Sequence, residues 1–151
     1  MLEDKGIGYI LHKVAMMSKN NLTYMLNGFG MTPGQFTVLK EIYYHKENTI
    51  EIGLSPACIA ERLEIDRPTI SGIIDRLEAQ GWIVRLQNPE DKRSCTIHIT
   101  DKTKDSFVEL DGLHTENQNI ILNGFTEEET NLFKSYLLRV TNNFKKSNNC
   151  R

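Results

Sequence analysis

The sequence predicts a mainly α-helical fold with one small two-stranded β-hairpin. Apolar residues recur every three to five positions over several stretches, which is the spacing of one helix face. Only between residues 82 and 99 does the spacing change to two, in two short runs separated by a polar link. The 151 residues show no repeat and no low-complexity tract. We therefore expect one domain of ordinary size.

Composition and charge limit the setting of the protein. No apolar run approaches the roughly 20 residues of a membrane span, and the first residues lack the basic cap and apolar stretch of a secretory signal. We expect a soluble, cytoplasmic protein without membrane contact. The formal net charge is −2, and residues 62–104 hold eight bases and seven acids. This balance alone does not predict a nucleic-acid partner.

The first two helices are predicted from an apolar stripe and a start signal. Residues from Gly6 to about Leu26 form an amphipathic helix whose long stripe needs a partner to cover it. Thr32, Pro33 and Gln35 form the capping-box start of a second helix. Its inward residues are expected to be Phe36, Leu39, Ile42 and Tyr43. A loop and a short extended segment at 50–52 should follow.

Two short capped helices come next. Ser55 precedes Pro56 at the start of the first, and Asp66 is the expected N-cap of the second. Gly81 ends the second as a left-handed C-cap. Two such helices joined by a tight turn are typical of a helix-turn-helix.

A hairpin and two further helices complete the chain. Strands are predicted over residues 82–87 and 95–100, and the polar link between them has a charged tip at 91–93. Thr100 is expected to cap the next helix, and residues 126–129 form a capping box at the start of the last helix.

A helix pair followed by a hairpin is a winged helix-turn-helix, an arrangement suited to duplex DNA. A helix fits the major groove, and the second helix of the pair presents the short polar side chains of Thr69 and Ser71 opposite its apolar stripe. The cations Lys92 and Arg93 at the hairpin tip suit the electronegative minor groove.

Residues 32–110 resemble the MarR family of bacterial transcription regulators. The matching motifs are Leu63-x-Ile65-Asp66-x-Pro68-Thr69-Ile70-Ser71, Asp75-Arg76-Leu77-Glu78-x-x-Gly81-Trp82-Ile83, Pro89-x-Asp91-x-Arg93 and Ile99-Thr100. The resemblance implies that Arg93 enters the minor groove, that Asp91 orients it, and that the terminal helices intertwine in a homodimer. The chain departs from the family at Gly72, where a longer polar or basic residue is common, and at Ala57, which is apolar.

Together these observations give a domain plan and a set of DNA contacts. Residues 1–31 and 101–151 would form the dimerisation region, and 32–100 the winged helix-turn-helix. The partner would be a pseudo-palindromic operator in double-stranded DNA. The residues expected at the DNA are Ser55, Arg67, Pro68, Thr69, Ser71, Arg76, Asp91, Lys92 and Arg93.

Each of these assignments has an alternative reading. Arg67 and Arg76 could be solvated surface charges, and Arg76 could pair with Asp75 or a neighbouring acid. The hairpin tip could be a soluble turn. The weak basicity of residues 62–104 leaves open a winged helix that docks another protein without reading DNA.

We also expect a repressor released by a small effector, an aromatic carboxylate or a phenol. Its site would lie between the dimer helices and the reader helix, lined by His12, Met16, Phe36 and Tyr43, unless these four are simply core.

The cysteines and histidines give weaker signals. Cys58 and Cys95 are expected inward and Cys150 in a tail, all as reduced thiols, with redox sensing as an alternative. The four histidines show no metal-ligand spacing. No phosphate loop or nucleophile elbow is present, so we expect a non-enzyme without cofactor or metal.

Overall fold

The computed structural model describes residues 1–48, 53–87 and 95–148. Its helices and strands are, in chain order, α1 (Ile7–Leu26), α2 (Pro33–Asn48), α3 (Pro56–Leu63), α4 (Arg67–Ala79), β1 (Ile83–Gln87), β2 (Cys95–Ile99), α5 (Asp101–Leu122) and α6 (Glu127–Asn148). The predicted fold class, helical with a two-stranded wing, is confirmed. The extended segment predicted at 50–52, the hairpin tip with Asp91, Lys92 and Arg93, and Cys150 lie outside the described residues.

The helix starts follow the predicted caps. The Thr32 N–H donates to the side-chain oxygen of Gln35 at 2.9 Å, and the Gln35 N–H donates to the Thr32 hydroxyl oxygen at 3.3 Å. Thr126 and Glu129 repeat this reciprocal pair at 2.8 and 3.2 Å. Each box satisfies two N–H groups that a helix start otherwise leaves unpaired.

The end of α4 corrects one predicted boundary. Trp82 was expected to begin the first strand, but β1 begins at Ile83. The Trp82 N–H instead donates to the Leu77 carbonyl at 2.9 Å, across Gly81, whose φ is +76°. This is the closing bond of a Schellman turn, so the backbone of Trp82 belongs to the helix end.

Trp82 also joins this turn to α5. It is 2% exposed, and its carbonyl accepts hydrogen bonds from the Thr100 N–H at 3.2 Å and from the Thr103 hydroxyl. The Thr100 hydroxyl oxygen in turn accepts from the Thr103 N–H at 3.4 Å, as its predicted capping role requires.

The small sheet closes one side of the core. β1 and β2 are antiparallel, with Ile83 opposite Ile99 and Arg85 opposite Ile97. The Ile97 N–H donates to the Leu54 carbonyl at 2.8 Å, which adds a bridge from the segment before α3. The core is continuous from α1 to α5 and includes Leu26, Phe36, Leu39, Ile59, Ile70, Ile74, Leu77, Trp82, Ile97, Phe107 and Leu110.

The chain divides into two compact units, Met1–Thr115 and a second that begins at Glu116. Within the first, α1 buries Leu22 and Leu26, while Ile7 is 76% exposed. Within the second, α6 leaves Phe144 68% exposed, along with much of Leu132 and Tyr136. Each unit taken by itself therefore leaves large apolar side chains uncovered, on α1 in the first unit and on α6 in the second. Among the described residues, no helix is both long and apolar enough to cross a membrane.

Candidate nucleic-acid interface

The joint between α3 and α4 is short and fixed by the backbone. Glu64 takes the left-handed conformation, with φ of +54°, directly after α3. The Ile65 N–H then donates to the Ala60 carbonyl at 3.0 Å. Asp66 is the N-cap of α4, as predicted, so α4 begins at Arg67, three residues after the left-handed Glu64. This geometry sets the direction of α4 relative to α3.

The cap of α4 also orients Thr69. Asp66 accepts the Thr69 N–H at 2.9 Å and the Thr69 hydroxyl at 2.7 Å. Both bonds lower the pKa of the Asp66 carboxyl, and the bond from the Thr69 backbone N–H has the larger effect. Because the hydroxyl proton of Thr69 is held by Asp66, Thr69 presents acceptor lone pairs and a methyl group to solvent.

One side of α4 is solvent-exposed and carries most of the predicted DNA contacts. The exposed residues are Arg67, Pro68, Thr69, Ser71 and Arg76, and the buried stripe is Ile70, Ile73, Ile74 and Leu77. Ser55, by contrast, is half-buried, and its hydroxyl oxygen accepts the Cys58 N–H at 3.1 Å as the cap of α3.

Two arginines beside α4 are held by carboxylates. Arg85 of β1 donates to both Asp75 and Glu78 of α4, and Arg62 of α3 donates to Glu41 of α2. The hydrogen bond to Asp75 is the largest cause of a raised pKa of the Arg85 guanidinium, and the bond to Glu78 adds to it. The alternative pairing of Arg76 with Asp75 is therefore wrong, because Arg85 holds that carboxylate.

The remaining cations of α4 are arranged differently. Within residues 1–48, 53–87 and 95–148, the ion pairs include neither Arg67 nor Arg76. A Cβ built on Gly72 would lie 3.7 Å from the nearer terminal nitrogen of Arg76. The guanidinium thus lies over Gly72, on the surface that a longer residue there would use. Acids and bases nearly balance in residues 62–104, but Arg67 and Arg76 are not used in these ion pairs. Both arginines are therefore available to bind anions.

The cysteines that were expected inward lie at the border of the core. Cys58 and Cys95 are half-buried free thiols packed against the apolar cluster.

The four residues proposed for an effector lie in two settings. Phe36 and Tyr43 pack on Phe107 of α5, with ring centroids 6.4 and 3.5 Å apart, and the Tyr43 ring is parallel to that of Phe107. His12 and Met16 are exposed on α1. In the part of the chain that the structure describes, no hydrogen bond or ring contact joins either of them to the aromatic group.

A polar cluster beside these rings was missed by the sequence analysis. The Lys40 ammonium lies 2.6 Å from an Asp111 carboxylate oxygen and 3.3 Å from His114 Nδ1, and the Tyr44 hydroxyl donates to Asp111 at 3.0 Å. Burial alone would raise the pKa of Asp111, but the bonds from Lys40 and Tyr44 together lower it. Burial, and then the Lys40 charge, lower the pKa of His114.

This cluster predicts a pH dependence of stability. The folded pKa of His114 lies below its ordinary value of 6.5, so the unfolded chain binds the proton more readily. Stability is therefore full above that value and falls as the pH drops through it. Urea unfolding at about pH 7.5 and about pH 5.5 should show a smaller loss for His114→Gln than for the wild type. The exposed His12→Gln should behave as the wild type, and equal losses in all three proteins would contradict the prediction.

The capped helix pair, its tight turn and the antiparallel hairpin define a winged helix-turn-helix protein. Residues 31–95 match the MarR family, and this match confirms the motif resemblance in that part of the chain.

Named relatives extend the similarity beyond the matched region. The chain is 28% identical over 130 residues to the HTH-type transcriptional regulator PecS of Dickeya dadantii, covering 86% of this chain and 76% of PecS. It is 24% identical over 127 residues to the HTH-type transcriptional repressor YetL of Bacillus subtilis, covering 84% and 74%. The structure of the S. aureus MepR–DNA complex superposes with a TM-score of 0.84 at 22% identity, over 93% of this chain and 99% of that one. The last similarity establishes a shared fold.

Proposed function

We propose that this protein is a transcription regulator that reads double-stranded DNA with α4. One observation carries the proposal: the ion pairs of the described residues leave out Arg67 and Arg76, which share the exposed side of α4 with Thr69 and Ser71. Arg85, by contrast, holds Asp75 and Glu78. Support also comes from PecS and YetL, both named as transcriptional regulators, and from MepR, which was solved with DNA.

The exposed face of α4 suits the major groove because a helix with its side chains, roughly 10–12 Å across, fits that groove. Thr69 offers an acceptor to the amino groups of adenine or cytosine and a methyl group to thymine. Ser71 acts as a second short reader. Arg67 and Arg76 bind phosphates or guanine edges, and Asp91, Lys92 and Arg93 form the wing contact in the minor groove.

The regulator acts as a homodimer on a pseudo-palindromic operator. The exposed apolar side chains of α1 and α6 support this, since neither unit covers them by itself. Two reader helices related by a two-fold axis would bind half-sites about one helical turn apart. Sedimentation equilibrium at micromolar concentration should give twice the chain mass, and a folded monomer would contradict this assembly.

An aromatic carboxylate or phenol would release the DNA. Lys40 provides a cation next to aromatic rings, 5.8 Å from the Phe36 centroid and 5.6 Å from that of Tyr44. The proposed site joins this region, including Tyr43, with His12 and Met16. Benzoate and phenol series should raise the melting temperature and weaken duplex binding, and a compound series that does neither would contradict the effector.

The DNA-binding function is tested by selecting sheared genomic fragments on the purified protein. We expect enrichment of one pseudo-palindromic sequence and a binding constant that falls steeply with salt. Recovery of fragments in proportion to their abundance, with no salt dependence, would favour a winged helix that docks another protein.

A further inference from the structure

A surface depression beside α4 is lined by cations and hydroxyls. It has a volume of about 550 Å³ and lies between α1, the start of α2 and α4. Its polar lining consists of Lys19, Thr23, Thr32, Thr69 and Arg76, and the described residues that border it include no carboxylate. Lys19 belongs to α1, outside the helix-turn-helix, and the sequence analysis gave it no role.

The hydrogen bonds of the lining residues decide which groups can bind a ligand. The Thr23 hydroxyl donates to the Lys19 carbonyl at 2.8 Å, and the Thr69 hydroxyl donates to Asp66. The Thr32 hydroxyl oxygen accepts the Gln35 N–H, which leaves its own proton to donate. Lys19, Arg76 and Thr32 therefore supply donors, two of them charged, around one hollow. Such a set suits an anion rather than a cation or a neutral group.

A second depression on the same domain lacks this character. It has a volume of about 640 Å³ and is bordered by Arg67 together with the carboxylates Glu61 and Glu64. Two carboxylates border this second depression for one guanidinium, so its lining as a whole is not electropositive. Of these two depressions, the one that contains Lys19 therefore has the electropositive lining.

We propose that the hollow between Lys19 and Arg76 binds a backbone phosphate of the DNA duplex, so that α1 contributes to the DNA contact. The inference rests on the proposed function, because the duplex comes to the hollow only when α4 lies in the major groove. That groove is about 12 Å wide, so phosphates flank the helix within it. The hollow borders α4 at Thr69 and Arg76, on the same exposed surface that would face the groove. This contact positions the protein on the duplex without reading its sequence.

The test is a salt titration of duplex affinity for Lys19→Gln, with the matched control Lys13→Gln. Lys13 lies on the same helix, carries the same charge and does not border the hollow. Loss of one phosphate contact should reduce the slope of log affinity against log salt by about 0.9. It should weaken binding about eightfold at roughly 0.1 M salt, equally for operator and random duplex. Lys19→Arg should restore the slope, and Lys13→Gln should keep it.

The outcomes separate this proposal from the one on which it rests. If the wild type binds no duplex, both fail. If the wild type binds but Lys19→Gln matches Lys13→Gln in slope and affinity, the phosphate site is overturned while DNA binding stands. Thermal unfolding of the wild type and of Lys19→Gln in increasing inorganic phosphate tests whether the hollow binds a free anion instead of a DNA phosphate. A stabilisation lost only in Lys19→Gln, with an unchanged duplex slope, would also overturn the DNA contact.

Discussion

Replacing Phe107 with alanine is expected to lower the free energy of unfolding by about 3–5 kcal/mol. Phe107 is 3% exposed, and its ring is stacked on Tyr43 at 3.5 Å and lies 6.4 Å from Phe36. Its removal leaves a cavity between α2 and α5. The neighbouring rings lose their contacts on that side, which adds to the lost transfer free energy of the side chain.

The measurement is urea denaturation at one fixed protein concentration, because the proposed dimerisation makes unfolding depend on concentration. The control is Glu109→Ala on the exposed side of the same helix, for which we expect a change within about 0.5 kcal/mol. Equal losses in the two variants would contradict the packing described for α2 and α5.

The second large effect concerns DNA affinity. The double variant Arg67→Ala with Arg76→Ala should reduce the salt slope by about 1.8, that is, by two counterions at 0.9 each. The same arithmetic gives a loss of roughly 60-fold at about 0.1 M salt, on operator and random duplex alike. The reason is that neither guanidinium is committed to a carboxylate in the described chain.

A second double variant, Lys134→Ala with Arg139→Ala, provides the control. Both residues lie on α6, and their removal changes the net charge by the same amount. It should leave the slope close to that of the wild type. If both double variants lost affinity equally, binding would follow the net charge of the protein and not the surface of α4.

Local chemistry made the helix boundaries predictable. A helix start can be predicted from residues at most three positions apart. Examples are Thr32 with Gln35, and Asp66 before a first turn that contains proline. Gly81 likewise predicts a helix end from local sequence, because the closing turn requires a left-handed conformation that glycine adopts readily. The burial of Ile70 and Ile74 followed from helical spacing alone.

Tertiary partners were not predictable in this way. Asp75 could pair with Arg76 next to it or with a residue ten positions on, and only the packing of β1 against α4 selects Arg85. The Lys40–Asp111 pair joins residues 71 positions apart, on two helices whose relative rotation no local pattern gives. Trp82 was misassigned because its apolar side chain fits a strand as well as a buried helix end.

In the proposed DNA-binding site, too, some residues could be predicted from local sequence and others could not. Residues on α4 were predictable as one exposed face from the position of its buried stripe. Lys19 was not, because it lies about 50 residues before α4 and meets it only through the fold.

The central claim is that α4 reads base sequence, and a specificity ratio tests it most directly. The affinity of the wild type for its selected operator should exceed that for random duplex by at least about 10³ at physiological salt. Ser71→Ala should weaken operator binding by about 1–3 kcal/mol and leave random binding nearly intact, which lowers the ratio. A wild-type ratio near one, or a Ser71→Ala variant that loses affinity equally for both duplexes, would contradict the account.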